Sequence, residues 1–298
     1  MVTLRDIGRF VVLMVWCTLS LHAATLNAQE TIAMGSLPTP NATTLTSHRL
    51  LAGLTTQSLY DGYLSSVPYK GWGFYLNHTA LNPFSAKRNH WMVYQQTEAL
   101  LASATNEAGT ASLSRFNLIY VVGGLYAFKP VYGLKVAAGP LFGADVGMKQ
   151  LPRNVNNPYN MNLGVDLMLG ATLTYDLKVF KRMWRLKADL KSPLLGCFVA
   201  PVRGQSYYEW LTYNQHDEVF HLSSLHNKNA LSMLYTLDIP LGWTVFSLGV
   251  SGQMAARETT DMVFKEQGWG VMAGCSFDLA AFAGYPFKTR PGYVRVDR

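Results

Sequence analysis

From Asn160 to Val179 every second position is apolar: Met161, Leu163, Val165, Leu167, Leu169, Ala171, Leu173, Tyr175, Leu177 and Val179. The positions between them are Asn160, Asn162, Gly164, Asp166, Met168, Gly170, Thr172, Thr174, Asp176 and Lys178, and only Met168 breaks the rule. A period of two over this length predicts a strand with one greasy and one polar face. The alternation recurs. Phe142, Ala144, Val146 and Met148 alternate with Leu141, Gly143, Asp145, Gly147 and Lys149. Leu231, Met233, Tyr235 and Leu237 alternate with Ser232, Leu234, Thr236 and Asp238, and Trp269, Val271 and Ala273 with Gly270, Met272 and Gly274. Ten strands follow, near 49–60, 70–81, 91–104, 112–129, 132–149, 160–180, 184–200, 229–241, 243–257 and 267–282.

Several of these strands far exceed the mode of about 5–6 residues in globular proteins. A tilted strand crosses a bilayer in about 9–11 residues, so they are long enough to span and project. Their non-apolar face is rich in glycine and poor in charge, which suits a narrow lumen better than a solvated surface. Short connections at 129–132, 180–184 and 240–243 alternate with longer polar ones at 61–71, 105–111, 150–159, 202–228 and 257–267. That alternation is expected of outer-membrane barrels, with short periplasmic turns and longer external loops. Aromatic residues stand beside the short connections: Phe84, Trp91, Phe128, Tyr132, Phe180, Trp184, Trp243 and Phe282. They predict an interfacial girdle. The expected fold class is therefore all-β, an up-and-down antiparallel transmembrane β-barrel of about ten strands at 48–283. A soluble periplasmic β domain is the competing reading.

The N-terminus changes the picture in one respect. Arg5 and Arg9 precede an apolar run from Phe10 to Leu21, followed by small residues at Ala23, Ala24 and Ala28. This order reads as a signal peptide over 1–28, too short in its apolar run to span a membrane as a helix. A polar leader, 29–47, and a C-terminal tail, 284–298, flank the expected barrel. Loss of the signal segment leaves 23 basic and 17 acidic residues, a net charge of +6. The basic residues are scattered, so nucleic acid is excluded as a partner class. Cys197 and Cys275 allow one disulfide in an oxidising compartment.

The last strand ends with Gly274, Phe277, Leu279 and Phe282, and resembles the C-terminal signal by which outer-membrane barrels are recognised for insertion. It departs from that signal at Met272 and in the tail beyond Phe282. The segments Tyr60-Asp61-Gly62-Tyr63-Leu64-Ser65, Tyr69-Lys70-Gly71 and Gly204-Gln205-Ser206-Tyr207-Tyr208-Glu209 resemble an uncharacterised family of Bacteroidota outer-membrane barrels. The resemblance implies fold and location: the bacterial outer membrane, with its lipid and the barrel-assembly machinery as partners. It implies no activity.

Two constellations carry candidate chemistry. In the loop 203–228, His216, Glu218, His221 and Ser223 are the residue types of a serine hydrolase, which makes an outer-membrane lipid-modifying hydrolase the alternative function. A His-Asp-Glu-His group can also bind a metal, but this spacing matches no metal motif, and neither metal nor cofactor is expected. The second constellation is the set of charges on the non-apolar face: Lys135, Asp145, Asp166, Asp176, Arg185, Lys187, Asp189, Lys191 and Asp238, with Lys149, Lys178 and Asp278. These are expected to face the lumen, where they line a narrow pore or pair across it and plug it. Ten strands lie near the filled end of the range. The leading expectation is a non-enzymatic barrel, either a narrow channel or a structural or ligand-binding protein. Its faces predict that Leu167→Arg disrupts assembly and that Asp166→Asn is tolerated.

Overall fold

The computed structural model describes residues 43–84, 90–179, 182–207, 209, 212, 219–241, 244–259, 261–280 and 293–295. The signal peptide, residues 29–42 of the leader, Phe180, His216, Glu218, Trp243, Phe282 and most of the tail lie outside them.

Ten long antiparallel strands follow one another round a closed barrel. They are β1 (Thr43–Asp61), β2 (Tyr69–Pro83), β3 (Trp91–Asn106), β4 (Ser112–Val131), β5 (Leu134–Gln150), β6 (Tyr159–Val179), β7 (Arg182–Val199), β9 (Lys228–Leu241), β10 (Thr244–Glu258) and β11 (Val263–Ala280). Two short strands join them: β8 (Phe220–Ser224) extends the pairing of β7, and β12 (Tyr293–Arg295) runs parallel to the start of β1. Closure comes from β11 and β1, which pair from Leu45↔Ala280 to Asp61↔Phe264. The two ends of the ten-strand wall therefore lie side by side, as an even strand number requires. β1 begins inside the stretch expected to be leader.

Connections alternate in length along the chain. One rim carries the two-residue links 132–133, 180–181 and 242–243 together with 84–90; the other carries 62–68, 107–111, 151–158, 200–219 and 259–262. We call these the turn rim and the loop rim. At the turn rim Gly133 sits at φ 81°, a left-handed conformation that a side chain would strain. At the loop rim the Asn106 side-chain oxygen accepts hydrogen bonds from the amides of Thr110 and Ala111, and Gly109 turns at φ 66°. The expected loop 202–228 is in part strand. Phe220–Ser224 pairs with Leu195–Val199, because Phe220 and Leu222 continue the outward apolar parity.

The alternation sorts the side chains by face. Leu50, Leu54, Phe142, Val146, Leu167, Leu169, Leu195, Leu248 and Val271 are exposed on the outer wall. Beside the turn rim Phe84, Trp91, Tyr126, Phe128 and Tyr132 are exposed. Trp72, Tyr159, Phe220 and Trp269 are exposed toward the loop rim, a second aromatic set that the turn-based reading did not single out. Closure pairs the long strands on both sides over most of their length, as a lipid environment demands. Cys197 on β7 and Cys275 on β11 are free thiols.

Candidate functional site

The inner face is where chemistry can reside, and it holds both apolar and charged side chains. Three buried apolar clusters occupy it. The first, at the loop rim, joins Leu59, Tyr63, Leu64, Tyr69, Leu113, Leu151, Phe198 and Phe264. The second, on the β2–β5 side, joins Leu81, Met92, Tyr94, Val121, Leu125 and Leu141, with Met168 against it. The third joins Leu51, Tyr75, Leu100, Leu234 and Met272. The interruptions in the alternation thus have a physical cause: Leu141, Met168, Leu234 and Met272 are inward residues that build core.

Between the clusters lie the charges. Among the described residues seven cations and six carboxylates are buried, and each of those cations has an ion-pair partner. Near the loop rim Glu266 takes Arg115 at 2.5 Å, Lys149 at 2.7 Å and Arg257 at 3.3 Å. Lys149 also reaches Asp61 at 3.0 Å, and Asn160 donates to the same carboxylate at 2.8 Å. Lower down Lys191 pairs with Glu98 at 2.8 Å, and Gln253 donates to Glu98 at 3.0 Å. Lys228 pairs with Asp166 at 2.7 Å. Toward the turn rim Arg49 pairs with Asp189, and Lys187 with Asp238 at 3.2 Å. Charges taken out of water are tolerable only when paired in this way.

Of the expected lumen charges, Asp166, Lys187, Asp189, Lys191 and Asp238 are buried in these pairs. Asp176 and Arg185 pair with each other at 2.7 Å, partly exposed near the turn rim. Lys135, Asp145 and Asp278 are half-buried, Lys149 is buried and Lys178 is exposed. Arg49, Asp61, Glu98, Arg115, Lys228, Arg257 and Glu266 were not singled out from sequence. Arg115 shows why. The inner face of β4 continues as Ile119, Val121 and Leu125, so neither face of that strand reads as polar. Lys228 falls at the end of the expected loop 202–228 and in the structure opens β9.

Of the hydrolase candidates, His221 and Ser223 are described, and His216 and Glu218 lie outside the described residues. His221 is half-buried and stacks on the Phe198 ring at 5.3 Å. Ser223 is buried, and its hydroxyl has no hydrogen-bond partner among the described residues. Two tyrosines hold the loop that precedes them. Tyr63 and Tyr207 meet edge to face at 5.9 Å. Tyr63 donates to the Gln205 carbonyl at 2.7 Å, and Tyr207 donates to Asn160 and accepts from the Met161 amide. Burial pushes the Tyr207 hydroxyl up to about 12 and raises that of Tyr63, so both remain donors.

The wall itself is interrupted. The ladder between β7 and β9 ends at Lys191↔Ser232, and the ladder between β7 and β8 begins at Leu195↔Ser224. Residues 192–194 therefore oppose 225–231 without ladder pairing. Pro193 has no N–H to donate, and a register shift against β6 falls beside it, between Leu167 and Met168. Behind this seam lies an interior cavity of about 120 Å³. Its lining includes Ile119, Val121, Asp145 and Met168 from the inner face, and Leu231 and Met254 from the outer one. An outer groove of about 700 Å³ shares Ala230, Leu231 and Met254 with it.

A family model matches residues 11–282. The chain belongs to a family of proteins of unknown function, DUF3316. No curated protein matches it. Among solved structures it is similar to the outer-membrane protease OmpT of Escherichia coli, at 7% identity over 79% of this chain and 97% of that one, with a TM-score of 0.44. It is similar to the translocator domain of the autotransporter NalP from Neisseria meningitidis, at 10% identity over 87% and 98%, with a TM-score of 0.37. Ail, the attachment invasion locus protein of Yersinia pestis, matches at 11% identity over 78% and 98%, with a TM-score of 0.26.

Proposed function

We propose that this member of the family is a sealed outer-membrane barrel that binds or supports rather than conducts. The observation that carries the reading is the filled interior. Every buried cation among the described residues is ion-paired, and an apolar cluster closes the barrel beneath the loop rim. A conducting pore needs a continuous wet path, and a core of this kind removes it. Location in the outer membrane is supported by the outward apolar wall and by an all-antiparallel closed barrel, a form that satisfies its backbone without water. The resemblance of Gly274, Phe277, Leu279 and Phe282 to an insertion signal supports the barrel-assembly machinery as the partner in biogenesis, with membrane lipid as the surrounding one. A Bacteroidota source rests on the Tyr60–Ser65, Tyr69–Gly71 and Gly204–Glu209 segments alone.

The test is single-channel recording with protein shown to be inserted in a planar bilayer. The expected trace is flat. Discrete, reproducible steps would sink the sealed reading and return the barrel to the narrow-channel class.

A further inference from the structure

We infer that the seam between β7 and β9 is a lateral binding site for a single-chain amphiphile with a small, uncharged, hydroxyl-bearing head. The inference rests on the ligand-binding side of the proposed function. Three observations meet here. The wall lacks ladder pairing where Pro193 faces 225–231, and the chain there closes on itself instead, in a turn where the Asn227 amide donates to the Ser224 carbonyl. In a hydrocarbon setting backbone outside the ladder is tolerated only where it is buried in protein or lines a water-filled cavity. The cavity behind the gap opens through Leu231 and Met254, both exposed on the outer wall, while the loop rim above is closed by its apolar cluster. The way in is from the side.

The chemistry of the cavity selects the head. Its ionisable lining residues are Glu98, Asp145, Asp166 and Glu266 against Arg115, Lys191, Lys228 and Arg257, so the formal charges balance. A charged head would upset that balance and a neutral one does not. Seven of these eight groups are committed to one another. Asp145 is the eighth: it has no hydrogen bond or ion pair among the described residues and lies across Gly164, where a Cβ would come within 2.6 Å of its carboxylate oxygen. It is an acceptor awaiting a donor. Moving an alkyl chain from lipid into a barrel gains little, since lipid tails are as apolar as leucine. Polar contact with the head must therefore supply the affinity. A volume of about 120 Å³ admits a head of a few heavy atoms, being smaller than the ~150 Å³ engineered cavity that holds one benzene. The chain then lies outside, along Leu231 and Met254.

The probe is 1-monooleoylglycerol, with methyl oleate as the chain-matched ester lacking hydroxyls. Protein extracted folded from its membrane is equilibrated with each in detergent micelles, and bound lipid is counted by native mass spectrometry after detergent removal. One monooleoylglycerol per barrel should be retained and methyl oleate stripped. Asp145→Leu removes the acceptor and should lower the retained fraction about tenfold. Ala230→Phe fills the mouth and should lower it as well. Heat-dependent gel migration reports whether each variant is folded, and either folded variant decides. Equal retention of the two esters overturns the inference. So does wild-type retention of monooleoylglycerol in folded Asp145→Leu or folded Ala230→Phe. A silent barrel that retains nothing sinks this inference alone, and a conducting barrel that retains the probe sinks only the sealed reading.

Discussion

Leu167 and Asp166 are neighbours in the chain and stand on opposite faces of β6, and almost everything that separates the two faces of this barrel is visible in that pair. Leu167 is 47% exposed among other apolar side chains, where one such residue can replace another. Asp166 is buried, with its carboxylate on Lys228 from a strand on the far side of the seam. The outer face is specified by a property, the inner face by partners. Substitutions should therefore act in a graded way outside and in an all-or-none way inside.

The largest effect should come from Glu266→Gln. One carboxylate there holds Arg115, Lys149 and Arg257, so neutralising it leaves three buried cations with Asp61 as their remaining carboxylate. Removing one partner of a buried pair costs about 3–5 kcal/mol. Equilibrium unfolding in detergent or lipid should show a loss of that size. Adding Arg257→Met, whose ion pair is with Glu266 alone, should recover part of it, and a single variant as stable as wild type would break the claim that partners specify the interior. Leu234→Ala comes next. It removes a fully inward residue from the cluster with Leu51, Tyr75, Leu100 and Met272, and core truncations of this kind cost about 2–5 kcal/mol. If Leu234 instead faced outward with Leu231 and Tyr235, the loss would be small.

Leu167→Arg sharpens the outer half of the comparison. An arginine on the lipid face costs about 2–4 kcal/mol near the midplane and much less toward an interface. Its neighbour now carries a different expectation from the one the alternation gave. Asp166→Asn strands Lys228, so it should destabilise and should be rescued by Lys228→Met. Rescue failing, with the single variant at wild-type stability, would restore the view of Asp166 as a freely hydrated lumen residue.

The legibility of the sequence follows the same division. Strand positions, the alternation of short and long connections and the outward apolar parity all come from local periodicity, and they are readable because each strand presents an apolar outer face. Pairing is not local. Nothing near Arg49 names Asp189, 140 residues away, and nothing near Arg115 names Glu266. β4 hides Arg115 because its inner face also builds core. Lys228 was hidden by a break in the wall that only the register reveals, although Pro193 within a strand is its one sequence-level sign. The interruptions at Leu141, Met168, Leu234 and Met272 were legible as exceptions, but their meaning as interior core required seeing them packed together.

The smallest expected effect lies where neither face rule applies, in the loop 200–219 above the rim. Glu209 is fully exposed, and its carboxylate accepts a hydrogen bond from the Ser206 amide at 2.8 Å and another from the Ser206 hydroxyl at 3.1 Å. Both bonds favour the charged form, the amide most, and hold the Glu209 pKa below the ordinary glutamate range. A depressed folded-state pKa means that the turn gains its stabilisation above the ordinary value, about 4.3, and loses it as pH falls through the lower folded value. The carboxyl carbon shift of Glu209, followed by nuclear magnetic resonance, should therefore titrate below that ordinary value. Ser206→Ala should move the midpoint only part of the way back, since it removes the hydroxyl and leaves the amide. A midpoint at or above the ordinary value in the wild type would show that this turn is open in solution. Glu209→Gln should leave barrel stability unchanged, because Tyr63 and Tyr207, not Glu209, tie the loop to the wall.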